Sequence, residues 1–193
     1  MIEPSFASPN AFLEEFSSRF TKQAGVVHPA KDPGDAVQLV NGLIESRGNG
    51  ESCCSNDIEI TFNNTKTNIS DRIKTTVSYS ALRKNPRQLV GSIDVGVTKV
   101  DYGISETGTV VDISYTDEHR LLSSLTRVHI AVLEKAHVLQ KLSMLSPIMA
   151  ELLKSNEPKP SISFIGGPSR TSDIELKSVL GVHGPHEVHT VLI

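Results

Sequence analysis

The chain has 193 residues, 38% hydrophobic and 21% charged, with a formal net charge of −3. That suits one α/β domain with a real core, and it argues against a nucleic-acid surface, which needs a basic face. No apolar run approaches the length needed to span a bilayer.

The N-terminus, Met1-Ile2-Glu3-Pro4-Ser5, lacks the positive region and apolar run of a signal peptide, so the expected location is the cytoplasm. A helix is expected from Ser8 to Gln23, with Ser8 as cap, Pro9 at the first helical position and Phe12, Leu13, Phe16 and Phe20 on one face. It reads as a lid or packing helix, and residues 1–25 form an N-terminal helical segment ahead of a domain over 26–193. Val26-Val27-His28 reads as a short strand, and Asp32-Pro33 opens a second helix whose apolar face is Ala36, Val37, Val40, Leu43 and Ile44, with Gly48 after its end.

Residues 51–82 have β texture. Ile58, Ile60 and Phe62 alternate with polar residues, Asn63-Asn64 gives a turn, and Ile73, Thr75, Val77 and Tyr79 alternate again, for two to four strands. Cys53 and Cys54 are the only cysteines. They read as neighbours in a strand facing opposite ways, and two thiols cannot supply the four ligands of a usual iron–sulfur or zinc site.

Asn85-Pro86 starts a short helix, Asp117–Leu125 reads as a helical turn, and His129–Leu133 is a buried strand. The spacing of Val138, Leu142, Leu145, Met149 and Leu152 predicts one long helix over 135–155, kinked or split at Pro147. Ile162–Ile165 and Val188–Ile193 are the last strands, and a helix is expected through Ile174–Leu180. This alternation predicts a parallel sheet with helices on its faces, with ligands beyond the carboxyl ends of its strands.

Two loops carry chemistry. In Gly103–Gly108, glycines flank Ser105, Glu106 and Thr107 before Thr109. Taken alone it is a hairpin with a polar turn, but its hydroxyls can bind an oxyanion and Glu106 can serve as acid, base or nucleophile. In Gly166–Thr171, Gly167, Ser169, Arg170 and Thr171 before a helix N-terminus make an anion site, or else a capped helix start with Asp173 and Glu175 in its first turn. Arg170 would hold a small carboxylate or phosphate, with His183 or Glu106 exchanging a proton. His183 serves function or turn capping equally well, whereas His129 and His189 read as structural. His28, His119, His137 and His186 show no metal-ligand spacing, and no metal is expected.

The ordered set Gly103-Ile-Ser-Glu-Thr-Gly-Thr109, Arg120-Leu-Leu, Val128-His-Ile-Ala-Val132, Gly167-Pro-Ser-Arg-Thr-Ser-Asp-Ile-Glu175, Leu180-Gly-Val-His-Gly-Pro185 and Val188-His-Thr-Val-Leu192 resembles the LUD-domain family, in particular its stand-alone lactate-utilisation protein C (LutC/YkgG) type. The match is dense over 94–193. The resemblance implies an α/β fold: a Rossmann-like parallel-sheet sandwich of the NagB/RpiA/CoA-transferase-like type, as in glucosamine-6-phosphate deaminases, ribose-5-phosphate isomerases and CoA transferases.

It also implies an accessory or substrate-binding role in an L-lactate-oxidising complex. The iron–sulfur cluster would lie in a partner subunit, with a second, cysteine-rich CCG-type partner and no cofactor in this chain. Ser105-Glu106-Thr107-Gly108 also resembles the Ser-Glu-Asn-Gly turn presenting the nucleophilic glutamate of class I CoA transferases, with Thr107 in place of Asn. The other readings are a stand-alone transferase or isomerase acting on a phosphorylated sugar or acyl-CoA, and a non-catalytic small-ligand-binding protein.

Overall fold

The structure is a computed structural model that describes residues 9–47, 50–154, 158–172, 178–180 and 183–193. Helix α1 (Pro9–Lys22) leads to strand β1 (Val26–Pro29). Helix α2 (Pro33–Glu45) follows, capped by the Asp32 carboxylate, which accepts from the Asp35 N–H at 2.8 Å. Strands β2 (Glu51–Cys54), β3 (Glu59–Phe62) and β4 (Thr65–Asn68) come next. β3 and β4 form an antiparallel hairpin, and Asn63 and Asn64 take the positive φ its turn demands.

Helices α3 (Tyr79–Lys84) and α4 (Pro86–Leu89) precede β5 (Ile93–Lys99), β6 (Tyr102–Ile104) and β7 (Thr109–Ser114). Helix α5 (Asp117–Ser124), β8 (Val128–Leu133), β9 (Val138–Leu139) and α6 (Ser146–Lys154) follow. The chain continues through β10 (Ser161–Ile165), β11 (Arg170–Ser172), β12 (Ser178–Leu180) and β13 (Glu187–Leu192).

A central five-stranded sheet runs β1-β13-β8-β5-β2, parallel throughout, so the α/β reading with a parallel core holds. One face packs Val95, Val97, Ile130, Val132 and Val191 against Ala36, Val37 and Val40 of α2. The other packs Ala131, Leu133, Val188 and Leu192 against Phe16 and Phe20 of α1, both without solvent exposure. Truncating either ring to alanine would cost about 3–5 kcal/mol, so α1 is a packing helix. Cys54 lies in the first cluster and Cys53 with Leu82 and Leu122 in another, which confirms that the cysteines face opposite ways.

Four expectations need correction. The C-terminal strands do not all join the parallel sheet. β10, β7, β6 and β9 form a second, mixed sheet in which β10–β7 and β7–β6 are antiparallel. There is no long helix over 135–155: a 3-10 turn at Lys135–His137, strand β9 and a second 3-10 turn at Leu142–Leu145 precede α6. Pro147 is the second residue of α6, where its missing N–H costs nothing. The spacing misled because Leu145, Ile148 and Met149 do share one apolar cluster, reached by a tighter turn and not by one continuous helix.

The alternation through residues 73–79 is not a strand. Val77 makes an isolated bridge to Cys53, and Tyr79 begins α3 behind its Ser78 cap. Lastly, Ser178–Leu180 is a strand paired antiparallel with Arg170–Ser172, so no helix runs to Leu180; residues 173–177, with Asp173 and Glu175, lie outside the described residues.

Candidate functional site

The Gly103–Gly108 loop is the tight turn of the β6–β7 hairpin, and its polar groups are largely engaged. Ser105 is fully buried; its hydroxyl donates to the Phe12 carbonyl at 2.7 Å and its N–H to the Leu139 carbonyl at 2.8 Å. The Glu106 N–H donates to the Gln140 carbonyl, and the exposed Glu106 carboxylate accepts from the Leu142 N–H at 3.0 Å, capping the turn that leads to α6. Gly108 has φ +61°, and a Cβ there would lie 2.6 Å from the backbone of Arg19 and Phe20. Thr109 opens β7, paired with Ile104. Glu106 and the exposed Thr107 are what the turn offers to solvent.

The second loop meets the first on one residue. The Gln23 side-chain amide donates to the carbonyls of Thr107 at 2.8 Å and Gly108 at 2.9 Å. Gly167, with φ +143°, brings its Cα against the Gln23 carbonyl, which an added Cβ would approach to 2.5 Å. A cleft of about 210 Å³ opens there, lined by Gln23, Gly166, Gly167, Pro168 and Arg170. Arg170 is exposed and brings the one ionised group of that lining. The Ser169 N–H donates to the Pro185 carbonyl at 2.9 Å, so the His183–Pro185 turn rests against this loop.

A guanidinium beside two glycine backbones can hold a small anion. The loop leads into a strand: the backbone of Thr171 lies in β11, in register with Val179, and the expected first turn of a helix falls on residues 173–177, outside the described residues. No hydrogen bond or ion pair joins Glu106, Arg170 and His183 among the described residues. Gln23 is not marked by any motif: a polar residue just past a helix end carries no pattern.

A second group of polar residues lies between the sheets. Asp112 on β7 is fully buried, and Nε2 of His119, at the start of α5, sits 3.0 Å from its Oδ1, off the line of a hydrogen bond. Nδ1 of His119 lies 3.8 Å from Oδ2 of the exposed Asp57. Burial alone would lower the His119 pKa, but Asp112, then Asp57 and Asp101, outweigh it and raise it. Asp101 accepts from the Ile113 N–H at 2.7 Å, yet burial, with Asp112 adding, pushes its carboxyl up to about 6. His129 is fully buried, its Nε2 2.9 Å from the Thr98 hydroxyl, and burial lowers it to about 4.

On the opposite face, His189 meets His28 at 3.0 Å and lies beside the Arg47–Glu187 ion pair, in keeping with the structural reading. Burial raises Cys53 to about 11 and Cys54 further. Among the described residues no group of three or more His, Cys, Asp or Glu is placed to hold a metal ion, and no helix is long and apolar enough to cross a membrane.

Comparison with known proteins places these features in a family. Lactate utilization protein C of Halalkalibacterium halodurans is 40% identical over 93 residues, 48% of this chain and 40% of that protein. The protein of that name from Bacillus subtilis is 35% identical over 101 residues, 52% and 42% of the two chains. YkgG of Escherichia coli is 40% identical over 92 residues, 47% and 40%. These matches span less than half the length of the curated relatives.

The crystal structure of a DUF162 family protein from Deinococcus radiodurans shares the fold, with a TM-score of 0.62 and 18% identity over 96% of this chain and 98% of that one. A sequence model of the LUD domain matches residues 13–193, and the chain therefore belongs to the LUD-domain family.

Proposed function

We propose that this chain works in lactate utilisation, in the cytoplasm, as an accessory subunit that binds a small carboxylate or phosphate. The observation that carries this reading is its similarity, over about half its length, to proteins named lactate utilization protein C. The cleft between Gln23, Gly166, Gly167 and Arg170 is of a size for a small anion, and Arg170 offers the charge.

Oxidising a 2-hydroxy acid needs an electron acceptor. Cys53 and Cys54 are buried on opposite sides of β2 and cannot present thiolates together. In this reading the acceptor is an iron–sulfur cluster in a partner subunit, with a cysteine-rich CCG-type protein as the third component.

The test is a pull-down of the tagged chain from its native cytoplasm, assayed for iron and for lactate-dependent dye reduction. Co-purifying iron and lactate activity are expected, with activity reduced when the bait carries Arg170→Ala. An iron-free, inactive preparation would overturn the subunit reading.

A further inference from the structure

The Gln23 amide uses its nitrogen to hold the neighbouring turn and leaves its oxygen unused. Nε2 donates to the carbonyls of Thr107 at 2.8 Å and Gly108 at 2.9 Å. Turning the amide over would set its oxygen against those two oxygens, so its partners fix its orientation. Oε1 then lies over Gly166, where an added Cβ would come within 2.4 Å of it. It accepts no hydrogen bond and is not buried. Gly166 is not among the glycines with positive φ, so what its missing side chain provides is room for Oε1.

The rest of the lining donates. The N–H groups of Gly166 and Gly167 have no acceptor among the described residues. One cleft of about 210 Å³ therefore carries a cation at Arg170, two unused backbone donors and one unused acceptor at Gln23. The donors and the cation suit any small anion. The acceptor adds a second demand, for a ligand donor beside the negative charge.

We propose that Gln23 Oε1 is the specificity-determining group of this cleft, which takes a small 2-hydroxy carboxylate in preference to the 2-oxo acid of the same skeleton. This rests on the anion-cleft reading above and names the class of anion. The ligand carboxylate lies on the Arg170 guanidinium, and the adjacent hydroxyl donates to Oε1.

Each near relative of that ligand fails at Oε1 for its own reason. A 2-oxo acid sets an acceptor against an acceptor, which forfeits the hydrogen bond and adds repulsion. An acid with a plain methylene at that carbon leaves Oε1 to water. An amino acid brings an ammonium that meets only a neutral amide oxygen, because no carboxylate lines the cleft. Glu106, the acid of the adjoining turn, is engaged with the Leu142 N–H.

The test is an NMR titration of the full chain with L-lactate, pyruvate, propionate, L-alanine and inorganic phosphate, following the Gln23 side-chain amide and the Gly166 and Gly167 N–H groups. L-lactate should bind about three- to tenfold tighter than pyruvate, propionate or L-alanine. Arg170→Ala should weaken all the carboxylates alike and leave their ratios in place. Gly166→Ala, which sets a methyl group against Oε1, should bring the lactate-to-propionate ratio to about one. Equal binding of L-lactate and any of its three analogues, or a ratio untouched by Gly166→Ala, would overturn this inference and leave the anion cleft standing. Saturation by phosphate with no carboxylate bound would also overturn it. No saturable binding of any anion would overturn the cleft itself. The subunit reading is judged apart from these, by the pull-down: iron and lactate activity there, with equal affinities here, would sink this inference alone.

Discussion

The side-chain amide of Gln23 donates to the carbonyl of Gly108 at 2.9 Å, and so ties the end of α1 to the β6–β7 turn. The same amide reaches Thr107, and the Gln23 backbone carbonyl sits against Gly167. One residue thereby fixes both loops of the cleft. Gln23→Ala loses two half-exposed hydrogen bonds, for an expected cost of about 1–2 kcal/mol. Thermal unfolding should show the midpoint falling by roughly 2–8 °C, with the cleft's anion affinity falling alongside.

Gly108→Ala should cost more. Its φ of +61° strains any residue with a Cβ, by about 1–2 kcal/mol, and that Cβ would press on the α1 backbone between Arg19 and Phe20. A loss above about 2 kcal/mol is expected in denaturant unfolding. A neutral result would mean that α1 does not dock on this turn.

What the sequence made legible was local. Asn63-Asn64 fixes a turn by backbone preference, Phe12–Phe20 fixes a helix face by spacing, and the apolar run from His129 marks a strand buried on both faces. What it hid was non-local. Strand β10 is apolar enough for either sheet, and only its pairing with β7 decides. The spacing of Val138, Leu142, Leu145, Met149 and Leu152 is met by a two-residue strand, a 3-10 turn and the short helix α6. Asp112 and His119 stand on different elements, so no motif joins them, and Gln23 acts through backbone carbonyls far along the chain.

The cysteines give a direct check on packing. With Cys53 pushed up to about 11, on the order of one thiol in 10³ is ionised at pH 8, and Cys54 sits higher still. A disulfide reagent should titrate neither thiol in the native protein and both after unfolding in guanidinium. Rapid reaction of either native thiol would contradict their burial on opposite sides of β2.

The pH dependence of stability pits two groups against each other. His129, lowered to about 4, stays neutral when folded, so its contribution is lost as pH falls from 6.5 toward 4. Asp101, raised to about 6, holds its proton when folded, so its contribution is present in acid and lost as pH rises through about 6. Asp101→Asn keeps an acceptor for the Ile113 N–H and removes the buried charge. Relative to wild type it should gain about 2–3 kcal/mol at pH 8 and nothing at pH 4 in urea unfolding.

Glu106 separates binding from covalent catalysis. Its carboxylate accepts from the Leu142 N–H, and glutamine keeps that acceptor while abolishing a carboxylate nucleophile. If the chain is a binding subunit, Glu106→Gln should leave lactate-dependent dye reduction by the assembled complex within about twofold. Glu106→Ala, which removes the cap, should cost about 1 kcal/mol of stability. Arg170→Ala should instead weaken anion binding while leaving the unfolding midpoint in place, because its exposed side chain lines the cleft and not the core. Loss of all activity in Glu106→Gln, with folding intact, would assign the turn a nucleophile and move the chemistry into this chain.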